Sequence, residues 1–147
     1  MDQNSSQLIV YVSLLCWNLN HFNSTFDENV VKMIAQTVWS YDLIYFLEVS
    51  SPQRAPPLDG LVAEITKERE RHKERVTYKY EHVKMDSSSW GVALYNANLV
   101  ILKEELQVTW EDRNKPIRSP FTFQFAVKNS KKEDWNFCVS GVHLKSG

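Results

Sequence analysis

No pair of cysteines in this chain stands at metal-ligand spacing. There are only two, Cys16 and Cys138, with no Cys-x-x-Cys and no Cys/His cluster around them. That argues against a zinc site. Both sit in apolar runs, so the expectation is two buried free thiols in a reducing compartment. An excess of charge of one sign is also lacking. Seventeen Lys and Arg against eighteen Asp and Glu leave a formal net charge of −1. Nothing global draws the chain to nucleic acid or to an anionic membrane, so a polyanion would have to be met by a local patch or a metal. Long apolar spans are missing as well. "LIVYVSLLCW", residues 8 to 17, is far too short to cross a bilayer. It follows "MDQNSSQ", which carries no Lys or Arg, and no small-x-small cleavage site comes after it. It reads as a strand, and the protein as intracellular, cytoplasmic or nuclear. No internal repeat or low-complexity segment is present.

What is there is an ordinary globular composition, 43% apolar and 24% charged over 147 residues. A chain of this size folds as one domain and buries roughly two-thirds of its unfolded surface. Residues 8 to 17 are apolar on both faces, as in a strand covered on two sides. The loop "NLNHFNS" follows, then Thr25-Phe26-Asp27-Glu28, a capping-box pattern. Val30, Val31, Ile34, Ala35, Val38 and Trp39 recur at helical spacing. "YDLIYFLEV", residues 41 to 49, is a second buried strand, and strand-helix-strand with short connections predicts a βαβ unit. A Pro-Pro start predicts a second helix with Leu58, Leu61, Val62 and Ile65 on its apolar side. Its end, "TKERERHKER", mixes both signs at i,i+4 spacing and reads as a solvated face. From Val76 onward, five strand-like runs alternate with polar segments, and "NANL" at 96 to 99 reads as a tight hairpin turn. The class is therefore α/β with a mixed sheet and two helices on one face. Two helices cover one face only. The other is left without a layer, so a protein partner, self-association or a missing segment is expected there.

Three polar residues stand at predicted strand ends: Asn18 after the first, Glu48 closing the second, His143 closing the last. Ligands bind at the carboxyl ends of strands in open α/β sheets. A carboxylate after "LIYFL" needs a partner, and a hard divalent cation is a good one. Asn18 offers a neutral amide to orient a ligand or a metal-bound water. His143 moves a proton near neutral pH. Carboxylate, metal and histidine together suit phosphodiester hydrolysis. Arg118, before the fourth of the late strands, offers a planar fork to a phosphate. Each has a plainer explanation when taken alone: a cap or salt bridge for Glu48, a turn for Asn18, a structural ring for His143, a loop arginine for Arg118.

At these positions the chain resembles the endonuclease/exonuclease/phosphatase superfamily, the deoxyribonuclease I-like fold. "LLCWNLNHF" resembles its first strand with the metal-site Asn, and "YDLIYFLEV" the strand bearing the metal-binding Glu. "WGVALYNANLVIL" resembles the hairpin after the second helix. "IRSPFTFQFAV" resembles the Arg-x-Pro strand, and "FCVSGVHLKSG" the strand ending in the active-site histidine. The resemblance implies a metal-dependent phosphodiesterase, foremost a nuclease acting on DNA or RNA. A lipid or inositol-phosphate phosphatase of the same fold and a non-catalytic binding module are the alternatives. It implies Mg²⁺ or Mn²⁺ on Glu48 and Asn18, His143 beside the scissile phosphate, and Arg118 near the substrate backbone. Leu47 departs from the frequent Gln, and "DSSSW" lacks the acidic residue expected before the hairpin strand. The Gly-Asp-x-Asn and Ser-Asp-His motifs do not occur in the sequence. The expectation is a single incomplete domain over 1–147, the first half of a four-layer α/β/β/α sandwich, with little or no activity alone.

Overall fold

A computed structural model describes residues 10–22, 26–50, 56–86, 88–106, 120–128 and 135–143. The chain runs β1 (Leu14–Phe22), α1 (Glu28–Val38), β2 (Leu43–Val49), α2 (Pro56–Arg71), β3 (Tyr78–Lys84), β4 (Trp90–Asn96), β5 (Val100–Leu106), β6 (Phe121–Val127) and β7 (Asn136–Gly141). The strands form two sheets, one in the order β1-β2-β4-β3 and one in the order β5-β6-β7. β1 and β2 are parallel, as the βαβ reading requires, and β4 runs antiparallel to both β2 and β3. The second sheet is an antiparallel meander.

β1 starts later than its apolar run suggested and continues through "NLNHF", which reads as a loop. Pairing with β2 opens at Leu14 opposite Leu43 and is kept to Phe22 opposite Val49. Phe22 is fully buried, and its carbonyl accepts from the Ser50 amide at 2.8 Å. Burial and pairing there override the weak strand preference of asparagine. α1 is capped by Asp27, whose side chain accepts from the Asn29 amide at 2.6 Å, rather than two residues earlier. Ile34, Ala35 and Val38 are buried as the periodicity predicts.

The largest difference concerns the uncovered face. β5, β6 and β7 do not extend the first sheet; they cross over and cover it. Asn96–Leu99 is a tight turn, closed by the Leu99 amide on the Asn96 carbonyl at 3.1 Å. It is not a hairpin, because β4 and β5 lie in different sheets. One core packs the helices on β2 and β4 through Ile34, Val38, Ile44, Phe46, Leu61, Ile65 and Leu94. The other lies between the sheets, with Leu43, Tyr45, Leu47 and Tyr95 facing Phe121, Phe123 and Phe125. Burying each phenylalanine contributes about 1.5–3 kcal/mol, so the aromatic row of β6 is a strong drive for this closure. The layers are helix, sheet, sheet. Among the described residues, the inner face of β2 and β4 is thus covered from within the chain, while Leu14 and Trp17 on the edge strand β1 stay exposed. The outward positions of β7 are Asn136, Cys138 and Ser140, all exposed. Both thiols are free but exposed, not buried: Cys16 lies on the edge strand β1, and Cys138 points outward from β7. Among the described residues, no helix is long and apolar enough to cross a membrane.

Candidate active site

Strict alternation along β2 sends Ile44 and Phe46 into the helix-side core, and would send residue 48 after them. It is Val49 that goes instead. The register slips against both neighbours here: Phe46 faces Val92 but Val49 faces Trp90, and Asn18 faces Leu47 but Phe22 faces Val49. This bulge frees Glu48 from an apolar core that could not hold a carboxylate. Glu48 adopts φ 57°, the left-handed region. Only glycine, and less often asparagine, enters it readily, and the strain is of order 1–3 kcal/mol. Such a conformation persists only where its surroundings enforce it.

Glu48 is 7% exposed, and its Oε1 lies 3.3 Å from Nδ1 of His143. His143 follows β7 in the other sheet. Its Nε2 lies 3.4 Å from Nδ2 of Asn18. An amide nitrogen only donates, so the neutral ring that satisfies both contacts is the tautomer that accepts at Nε2 and carries its proton on Nδ1, toward Glu48. Asn18 stands inside β1, not beyond it. Its Oδ1 accepts from the Asn20 amide at 2.8 Å, with Asn20 at φ 49°. Three of the four predicted site residues therefore converge. The fourth, Arg118, lies outside the described residues.

Among the described residues, no three His, Cys, Asp or Glu side chains cluster to hold a metal. That excludes a cage built wholly of such side chains there. One carboxylate with one amide still fits Mg²⁺, which keeps most of its waters and takes few protein ligands. Asp86, in the turn before β4, is held by the residues that follow it. Its Oδ1 accepts from the Ser88 and Ser89 amides at 2.8 and 2.7 Å. Desolvation pushes its carboxyl up, but these hydrogen bonds more than offset that and hold it well below the usual carboxylate range.

Two residues that shape the molecule escaped the sequence reading. Arg69 belongs to the charge run read as solvated, yet it is 6% exposed. It donates to the Tyr78 hydroxyl at 2.8 Å and the Tyr41 carbonyl at 3.1 Å, and it pairs with Glu74. The i,i+4 series Leu61, Ile65, Arg69 was the available signal. Tyr45, 1% exposed, donates its hydroxyl to the Val139 carbonyl at 2.9 Å. Burial pushes that phenol far above its ordinary range, so it stays a donor at any working pH.

The architecture is an α/β sandwich whose two sheets bring Asn18, Glu48 and His143 together. No protein-family model matches the chain, and no curated protein does. Among solved structures, the fold is shared with the human Nocturnin catalytic domain, determined with bound sulfate anion. The TM-score is 0.57 at 9% identity, over 88% of this chain and 48% of that one. The chain thus spans about half the length of that domain. At this identity the likeness shows the fold.

Proposed function

We propose that the chain carries part of the active site of a divalent-metal-dependent phosphodiester hydrolase, foremost a nuclease. The observation that carries this is the strained Glu48 meeting His143 from the opposite sheet. Glu48 and Asn18 would hold Mg²⁺ or Mn²⁺, which supplies charge stabilisation to phosphate oxygens when bound. For His143 to contact a phosphate oxygen or to pass a proton to a leaving oxygen, Nε2 must take up a proton and turn from Asn18 to the substrate, with Glu48 steadying the ring at Nδ1. Without substrate, Asn18 occupies Nε2. The sulfate bound to the Nocturnin domain supports a fold suited to tetrahedral oxyanions. Because the Gly-Asp-x-Asn and Ser-Asp-His motifs are absent from the sequence, the chain alone is expected to cleave little. The test is Mn²⁺ titration followed by broadening of the His143 ring resonances, beside a panel of DNA, RNA and inositol phosphates. Broadening that disappears in Glu48→Gln is expected. Absence of Mn²⁺ binding at millimolar concentration, or cleavage indifferent to Glu48→Gln, sinks the reading.

A groove of about 300 Å³ favours a second reading, a non-catalytic interaction module. It is lined by Val12, Leu14, Leu43, Trp135, Phe137 and Val139, between the open edges of β1 and β7. Light scattering on the eluted chain discriminates, since a clean monomer argues against self-association there.

A further inference from the structure

We propose that the Tyr45 hydroxyl is a positioning group that registers the second sheet against the first and so holds His143 against Glu48. This rests on reading that pair as the site. Tyr45 and Glu48 share β2, and Val139 on β7 leads directly to His143. The bond from Tyr45 to Val139 therefore joins the two strands that deliver the two site residues. Most of what else lies between the sheets is apolar. Apolar contact is non-directional and resists separation better than sliding. A hydrogen bond fixes one atom relative to another within a few tenths of an ångström.

The ring around the hydroxyl is itself set. It stacks on Phe121 at 5.0 Å and 16°, and meets the edge of Phe123 at 6.5 Å and 81°. Phe121 is wedged between Gly91 of β4 and Gly141 of β7, where any Cβ would overlap its ring. Phe121 fixes the spacing of the sheets, and the Tyr45 hydroxyl fixes their lateral register. Phenylalanine at position 45 would fill the same volume, so packing does not explain the hydroxyl. A buried phenol needs a partner; this one uses the strand that carries the histidine.

The test is NMR on the metal-free chain and its Tyr45→Phe variant. Cross-relaxation between the His143 ring and the Asn18 side-chain amide is expected to fall at least twofold. The Phe22–Phe26 contact, at 4.7 Å between centroids in the helix-side core, should not change. Tyr45→para-aminophenylalanine restores a donor and should restore the His143 signal. An unchanged His143–Asn18 signal in Tyr45→Phe overturns the proposal alone. Loss of both signals together marks a general structural role and also overturns it. Absence of the His143–Asn18 signal from the wild-type chain overturns the pairing, and the proposal with it.

Discussion

The Glu48 carboxylate and the His143 ring, 3.3 Å apart, are delivered by different sheets. The site is therefore a property of how the sheets close on each other. It also depends on the left-handed backbone of Glu48. Alanine keeps that strain and glycine releases it, so Glu48→Gly should be more stable than Glu48→Ala by about 1 kcal/mol, the reverse of the usual order inside a strand. Urea unfolding of the two variants measures this. Greater stability of the alanine variant would show the backbone to be unstrained.

Gly141 faces the Phe121 ring across the β6–β7 pair. Gly141→Ala should lose about 1–3 kcal/mol by overpacking. Adding Phe121→Leu should recover part of that loss, because the clash is shared. Strict additivity in the double-mutant cycle would refute the wedge.

Arg69 ties α2 to the opposite end of the sheet. There Asp42 accepts from the Ser13 hydroxyl at 2.8 Å and from Asn96 at 3.0 Å, and Arg69 lies 3.7 Å away. Arg69→Ala should destabilise by about 3 kcal/mol, because it strands buried partners. Arg69→Lys should recover little, since a point charge cannot serve Tyr78, Tyr41 and Glu74 together. Unfolding midpoints equal to wild type for both variants would return Arg69 to the solvated face.

Burial pushes the Tyr78 phenol up to about 12, although the Arg69 guanidinium pulls the other way. A folded pKa above the unfolded value of about 10 favours the neutral phenol in the fold. The associated stability is full below pH 10 and is lost as pH rises toward 12, by roughly 2–3 kcal/mol. Stability measured at pH 9 and pH 12 should fall less in Tyr78→Phe than in wild type. Equal falls would contradict the assignment.

Much of this was legible in the chain. The helix periodicities and the βαβ order follow from local pattern, and Asn18, Glu48 and His143 stand out as polar residues at the ends of apolar runs, where the family resemblance also places a site. What pattern cannot carry is tertiary. "NANL" signals a tight turn but not that the turn changes sheets. The apolar neighbours of Cys16 and Cys138 look alike in an edge strand and a central one. The bulge at Glu48 is set by register on both sides. Asn18 to Phe22 reads as a loop because asparagine is a poor strand former, yet the Phe22 side chain anchors it. Arg69 was hidden by its charged neighbours.

The crossover at Ala97–Leu99 also orders events in time. The helices and the four-stranded sheet end at Asn96, and β5 to β7 follow. During synthesis at about 5–20 residues per second, the inner faces of Leu43, Tyr45, Leu47 and Tyr95 wait several seconds for the phenylalanines of β6 to leave the ribosome. In that interval the nascent chain presents an apolar sheet surface that the finished protein hides, which is the moment at which a chaperone would matter most to its yield.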